Sequence, residues 1–128
     1  MRLLLDTHIA IWAIVGAPEL PAKAAEMLED RDNEIWISSI VPWEIAIKHR
    51  NGKFPHSANQ MCHGFQVADF KILDVKESHV RMLDGIPLES MHKDPFGRMM
   101  VAQAKAEGMV LLTHDSKMVL YQPVALVV

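Results

Sequence analysis

Acidic residues follow two of the apolar runs in this 128-residue sequence, and they are the first candidates for chemistry. Asp6 comes directly after Leu3-Leu4-Leu5, and Asp115 comes two residues after Thr113, the end of a second apolar run. If both runs are strands of one parallel sheet, the two carboxylates project at its carboxyl edge, where such sheets bind ligands. A turn or a helix cap explains either aspartate equally well when it is taken alone.

Two further acids, Glu44 and Asp94, lie at predicted helices. Glu44 shares a helix face with Ile40 and Ile47, and an unpaired carboxylate on an apolar face is costly. An ion pair with Lys48, one turn later, would explain Glu44 only if Lys48 shares that face. Asp94 precedes a proline at a predicted helix start, where capping alone explains an aspartate.

Carboxylates that converge at one edge repel each other and raise one another's pKa. They stay ionised together only around a cation, and oxygen ligands suit Mg²⁺ or Mn²⁺. The implied chemistry is metal-assisted hydrolysis of a phosphodiester, in which the ion polarises the phosphoryl group and lowers the pKa of a water molecule. A zinc site is not indicated, because the seven histidines lack ligand spacing and Cys62 is the single cysteine.

The elements that would position these acids alternate along the chain. The apolar patterns predict strands at 2–5, 34–38, 70–75, 109–113 and 124–128. They predict helices at 7–15, 22–30, 40–50, 56–68, 77–83 and 94–107, with Ser39 as an N-cap and a loop at 86–93. Alternating strands and helices indicate an α/β fold, a parallel sheet with helices on both faces.

Length and composition set further bounds. The length predicts a single domain over 1–128, and the 50% apolar content predicts a folded core. A net charge of −3 argues against a protein that coats nucleic acid by charge alone. The longest uncharged apolar stretch, 7–18, is too short for a membrane span, and no secretory signal is evident. The cysteine count favours a reduced, cytoplasmic setting.

Four short motifs occur in order along nearly the whole chain. They are LLLDTH at 3–8, WEIAIK at 43–48 with Ser39 and Gly52-Lys53 beside it, HKDPFGR at 92–98 followed by Ala102-Gln103-Ala104, and LLTHD at 111–115. Each motif alone is weak, but their combination and order resemble the PIN-domain ribonucleases, specifically the VapC-type toxins of bacterial toxin–antitoxin pairs.

The resemblance implies a three-layer α/β/α fold with a central parallel sheet of four to five strands. It implies an acidic Mg²⁺ site, with Mn²⁺ as the alternative ion, that cleaves RNA. By position, Asp6 would be the first metal ligand, Glu44 the second acid and Asp115 the fourth, while Thr113 and Thr7 would orient carboxylates, water or substrate. The implied partners are RNA, a small antitoxin that places a basic side chain among the acids, and a second copy in a homodimer.

Positive side chains near the predicted edge could contact the RNA backbone. Arg98 is the best candidate because it lies next to the predicted site. The other candidates in the sequence are Lys48, Arg50, Lys53 and Lys93.

The third acid departs from the family pattern. Relatives of this subgroup typically read H-x-D-P-F-D-R, and the second aspartate of that motif corresponds to Gly97. Three explanations stay open: Asp94 serves as the third acid, the site works weakly with Asp6, Glu44 and Asp115, or Gly97 is an inactivating change.

Two other functions are compatible with parts of the sequence. A catalytically weak or dead PIN module that binds an antitoxin is favoured by Gly97. A phosphatase with an aspartyl nucleophile at Asp6 ranks lower, because such an enzyme would need a second aspartate where His8 stands.

Overall fold

The computed structural model describes residues 1–87 and 94–128, which alternate between strands and helices as predicted. The strands are β1 (Arg2–Leu5), β2 (Glu34–Ser38), β3 (Lys71–Leu73), β4 (Val110–Thr113) and β5 (Ala125–Val127). The helices are α1 (Thr7–Val15), α2 (Ala22–Glu29), α3 (Ile40–Arg50), α4 (Ala58–Val67), α5 (Glu77–Met82) and α6 (Pro95–Glu107). Short 3₁₀ helices lie at Leu83–Gly85 and Ser116–Tyr121. Most of the predicted loop, 88–93, lies outside the described residues.

All five strands form one parallel sheet in the order β3-β2-β1-β4-β5. The central strand β1 places Leu5 beside Ile37 of β2 and Leu112 of β4. The strand order reverses between β1 and β4, and a parallel sheet opens a ligand-binding crevice at such a point. The predicted three-layer α/β/α fold is confirmed, with five strands.

Apolar residues of the central strands form the middle of the core. Leu3, Leu4 and Leu5 of β1 are 0% exposed, as are Leu111 and Leu112 of β4. Burying one such side chain contributes about 2 kcal/mol, and a continuous apolar run is typical of a strand covered on both faces. No helix in residues 1–87 and 94–128 is long and apolar enough to cross a membrane.

Helix caps fix where two helices begin beside the carboxyl edge. The Asp6 carboxylate accepts a hydrogen bond from the backbone N–H of Thr7, the first residue of α1. The Asp94 carboxylate accepts one from the backbone N–H of Phe96 at 3.0 Å, which confirms the predicted cap of α6. Gly108, with φ of +66°, ends α6 in the left-handed conformation that glycine adopts without strain.

Three local features differ from the sequence prediction. The Ser39 side chain makes no capping bond, because its backbone is already helical; the buried Ser38 hydroxyl instead accepts from Ile40 N at 3.1 Å. Strand β3 is shorter than 70–75. The segment after β4, for which no helix was predicted, forms a 3₁₀ helix that Asp115 caps through Lys117 N.

Candidate active site

A cavity of about 290 Å³ lies at the carboxyl ends of β1 and β4. Among the described residues, four acidic side chains line it together: Asp6, Glu44, Asp94 and Asp115. The remaining lining residues are Thr7, His8, Trp12 and His114. The fold therefore brings all four acids singled out from the sequence to one place.

Asp6 is held by hydrogen bonds to both of its carboxylate oxygens. The Thr113 hydroxyl donates to Oδ2 at 2.6 Å, and the Thr7 backbone N–H donates to Oδ1 at 2.8 Å. Thr113 is fully buried, and its hydroxyl oxygen also accepts from Asp115 N at 3.1 Å. Thr113 thus connects the two aspartates that follow β1 and β4.

The surroundings of Asp6 disfavour its ionised form. Burial raises the pKa of Asp6 above its ordinary 3.8, and the charge of Glu44 raises it further. The hydrogen bonds from Thr113 and Thr7 and the nearby His8 lower that pKa without cancelling the effect of burial. A cation placed among these carboxylates would favour the ionised form.

Glu44 faces the cavity and also forms the ion pair that its sequence context suggested. Its Oε1 accepts from the Thr7 hydroxyl at 3.0 Å, and its Oε2 lies 3.1 Å from Lys48 Nζ. The Glu44 side chain is 14% exposed. The ion pair explains how the carboxylate is tolerated on this helix, and the contact with Thr7 aims it at the cavity.

The other two acids also combine a local role with a place in the cavity lining. Asp94 caps α6 through Phe96 N, and Asp115 caps the following 3₁₀ helix through Lys117 N. Gly97 is buried in the first turn of α6 and contributes no side chain.

The structure does not bring Arg98 to the cavity lining. Its guanidinium Nη2 donates to the Ile86 carbonyl at 3.1 Å, which ties α6 to the preceding segment. Among the cations that the sequence suggested, Lys48 lies beside the site through Glu44, while Lys93 lies outside the described residues.

Sequence reasoning missed an aromatic side of the cavity, since it considered the histidines only as possible zinc ligands. The His8 ring stacks on Trp12 with centroids 5.5 Å apart, and the His114 ring meets Trp12 edge-on at 5.6 Å. His8 and Trp12 are four residues apart on α1, so their contact could have been predicted. His114 arrives from β4, so its place required knowledge of the strand order.

The donor chemistry of the cavity suits a divalent ion. Within residues 1–87 and 94–128, no group of three or more His, Cys, Asp or Glu side chains is arranged to hold a metal ion. Mg²⁺, however, is commonly bound through one or two carboxylates with water and substrate phosphate. Asp6 together with Asp115 or Glu44 could bind Mg²⁺ in this way, because the anionic groups of the described lining residues are all carboxylates.

Solved structures share this fold across most of their length. VapBC2 from Rickettsia felis, bound to a promoter DNA fragment, matches with a TM-score of 0.66 and 20% identity over 100% of this chain and 98% of that chain. DNA-bound VapBC from Salmonella typhimurium gives 0.65 and 19% over 97% and 92%. A toxin–antitoxin complex from Klebsiella pneumoniae gives 0.65 and 20% over 97% and 95%.

The sequence comparisons give the family. No curated protein sequence matches the chain significantly. The profile of the PIN domain matches residues 3–122, which span β1 to the segment before β5. This match agrees with the parallel sheet and with the acidic cavity at its carboxyl edge. The chain therefore belongs to the PIN domain family.

Proposed function

We propose that this chain is a divalent-metal-dependent endoribonuclease that acts as the toxin of a toxin–antitoxin pair. The observation that carries the proposal is the cavity in which Asp6, Glu44, Asp94 and Asp115 meet at the carboxyl ends of β1 and β4. Membership of the PIN domain family and the order of the sequence motifs support it. The proposed reaction is hydrolysis of an RNA phosphodiester. Residues 1–128 would form the single domain that carries it out.

Asp6, with Asp115 or Glu44 as the second donor, would hold Mg²⁺ or Mn²⁺. The chemistry supplied by the bound ion is polarisation of the phosphoryl group and a lower pKa for a water molecule. Thr113 fixes the Asp6 carboxylate through the 2.6 Å hydrogen bond, so that one of the donors is preorganised. Thr7 orients Glu44 in the same way through its hydroxyl.

We assign the contact with the RNA backbone to Lys48 rather than to Arg98. Its ammonium lies 3.1 Å from Glu44, and the side chain is 36% exposed. A positive charge at the rim of an acidic cavity reduces the repulsion that the acids exert on phosphate. The Arg98 guanidinium instead donates a hydrogen bond to the Ile86 carbonyl, which stabilises the start of α6.

The surface beside the cavity supports the proposal that a protein partner binds there. Trp43 is 56% exposed and packs edge-on against Phe96, and Ile47 on the same helix is 40% exposed. An antitoxin segment that covers this apolar patch could place a basic side chain among the acids, where the charges are complementary. We also propose that the chain forms a homodimer and works in the cytoplasm.

The second candidate function is a catalytically weak or dead module that binds the antitoxin. Buried Gly97, which supplies no carboxylate, favours this function. The place of Asp94 in the cavity lining supports the explanation in which Asp94 acts as the third acid.

Cleavage of a mixed RNA pool by the parent chain tests the nuclease proposal. We expect Mg²⁺-dependent cleavage that EDTA and Asp6→Asn both abolish. A folded parent chain that binds an antitoxin-derived peptide but cleaves no RNA, with either Mg²⁺ or Mn²⁺, would favour the binding module.

A further inference from the structure

Three aromatic rings form one side of the acidic cavity, and we call His8, Trp12 and His114 the aromatic wall. The His8 and Trp12 rings are stacked, with planes inclined by 23° and centroids 5.5 Å apart. The His114 ring meets Trp12 at 68° and 5.6 Å. All three residues line the cavity together with Asp6 and Asp115.

Two separate elements hold the aromatic wall in place. His8 and Trp12 are one turn apart on α1, whose first turn is anchored by the Asp6 cap. The Nδ1–H of His114 donates to the backbone oxygen of Val128 after β5, which fixes the orientation of that ring. The wall is thus tied to the sheet edge that carries the acids.

The exposure of the rings leaves surface for a ligand. His8 and His114 are exposed, while Trp12 is half-buried between them. Flat aromatic and imidazole rings at the rim of a nucleic-acid site offer stacking surface for a base. The bases of a duplex already stack on one another, so an unpaired base is the ligand that such a surface selects.

We propose that the aromatic wall is a stacking subsite for an unpaired nucleobase next to the phosphodiester held at the acids. This inference rests on the proposed ribonuclease function and assigns a role in RNA binding to three rings outside the acid cluster. Base stacking is tolerant of sequence, so the subsite accepts any base.

The test measures binding without cleavage. Trp36→Phe and Trp43→Phe make Trp12 the only tryptophan of the full chain, and its fluorescence is followed in EDTA. The two probes are a short unpaired RNA and an abasic strand of the same length, which carries the same phosphates but no bases. We expect the RNA to quench Trp12 and to bind about tenfold or more tightly than the abasic strand.

Variants separate stacking from charge and from fold. His8→Ala should remove most of the preference for the strand with bases, while His8→Phe, which keeps a ring but no charge, should retain it. His63→Ala changes an exposed histidine outside the cavity lining and should leave the preference intact.

The proposal is overturned if the two strands bind equally, if Trp12 is not quenched, or if His8→Phe loses the preference as His8→Ala does. An aromatic wall that serves a protein partner would give the first or second of these results. The binding measurement does not depend on cleavage, so the two proposals can fail separately. A chain that prefers the strand with bases but cleaves no RNA would support the stacking subsite and contradict the nuclease proposal. A chain that cleaves RNA without this preference would support the nuclease proposal and contradict the stacking subsite.

Discussion

The Thr113 hydroxyl donates a 2.6 Å hydrogen bond to Asp6 Oδ2, joining residues that are 107 positions apart in the chain. The contact links the carboxyl end of β4 to the residue that follows β1. Because the same hydroxyl oxygen accepts from Asp115 N at 3.1 Å, one buried side chain positions two of the four acids. Thr113 is therefore a positioning residue.

Thr113→Val keeps the shape of the side chain but removes both hydrogen bonds. We expect a loss of about 1–3 kcal/mol in the free energy of unfolding, since a carboxylate oxygen and a backbone N–H lose their partner. The RNA cleavage rate should fall at least tenfold. Thr113→Ser, which retains the hydroxyl, is the control, and denaturant unfolding together with the cleavage assay measures both effects. Equal cleavage by the valine and serine variants would refute the positioning role.

Asp6→Asn should stabilise the chain when no metal is present. Burial raises the pKa of Asp6, so the folded state is penalised once Asp6 ionises. The penalty is absent well below the ordinary value of 3.8 and complete above the raised pKa. In EDTA, we expect the variant to unfold at a temperature a few degrees above the parent at neutral pH, with the difference vanishing in acid.

Asp74→Asn changes an exposed aspartate and serves as the control for Asp6→Asn. It should unfold like the parent at every pH. A lower unfolding temperature of Asp6→Asn at neutral pH would show that the hydrogen bonds to Asp6 outweigh its burial.

Lys48→Met tests whether Glu44 acts at a metal site or only forms an ion pair. The pair is partly exposed, so the free energy of unfolding should change by no more than about 1 kcal/mol. Loss of the neighbouring cation should strengthen Mg²⁺ binding several-fold, as measured by titration calorimetry. Lys71→Met breaks the 3.0 Å pair with Glu34 outside the cavity lining and is the matched control. Identical Mg²⁺ affinities in both variants would limit Glu44 to a structural role.

Glu107→Gln should reduce stability at neutral pH but not in acid. The fully buried His79 donates through Nε2 to Glu107 at 2.9 Å, and this hydrogen bond is the main reason why the pKa of Glu107 lies below 4.5. The carboxylate therefore stabilises the fold above pH 4.5, and this contribution is lost as the pH falls through the lowered pKa. We expect a deficit of about 1 kcal/mol at pH 7 that shrinks as the pH falls through the lowered pKa.

Glu77→Gln supplies the comparison for Glu107→Gln. Its ion pair with Arg81 is 76–79% exposed, and such a pair contributes little. Denaturant unfolding between pH 3 and pH 7 measures both variants. A pH-independent deficit in Glu107→Gln would contradict the assigned contribution of its charge.

Much of this fold follows from local patterns in the sequence. The Leu3-Leu4-Leu5 run predicts β1, because a short apolar run bounded by an acid is typical of a buried strand. The helix start at Asp94 is also predictable, since aspartate at the N-cap satisfies backbone N–H groups. The rule for parallel sheets then places Asp6 and Asp115 at one edge.

Other features depend on tertiary packing and could not be predicted in this way. The backbone path after β2, not residue type, decides that Ser38 rather than Ser39 bonds to Ile40 N. Arg98 is drawn to the Ile86 carbonyl by a contact that no local pattern encodes. The meeting of Trp12 with His114 requires β1 and β4 to be neighbours, which the sequence alone does not specify.

The most direct test of the central claim compares the parent with Gly97→Asp in Mg²⁺-dependent cleavage of a mixed RNA pool. Gly97→Ala, which adds a side chain without a carboxylate, controls for helix propensity, and circular dichroism confirms that each variant is folded. We expect Gly97→Asp to cleave RNA at least as fast as the parent and the alanine variant, with EDTA or Asp6→Asn abolishing cleavage. A folded Gly97→Asp chain that cleaves no RNA with either Mg²⁺ or Mn²⁺ would contradict the assignment of this cavity as a ribonuclease site.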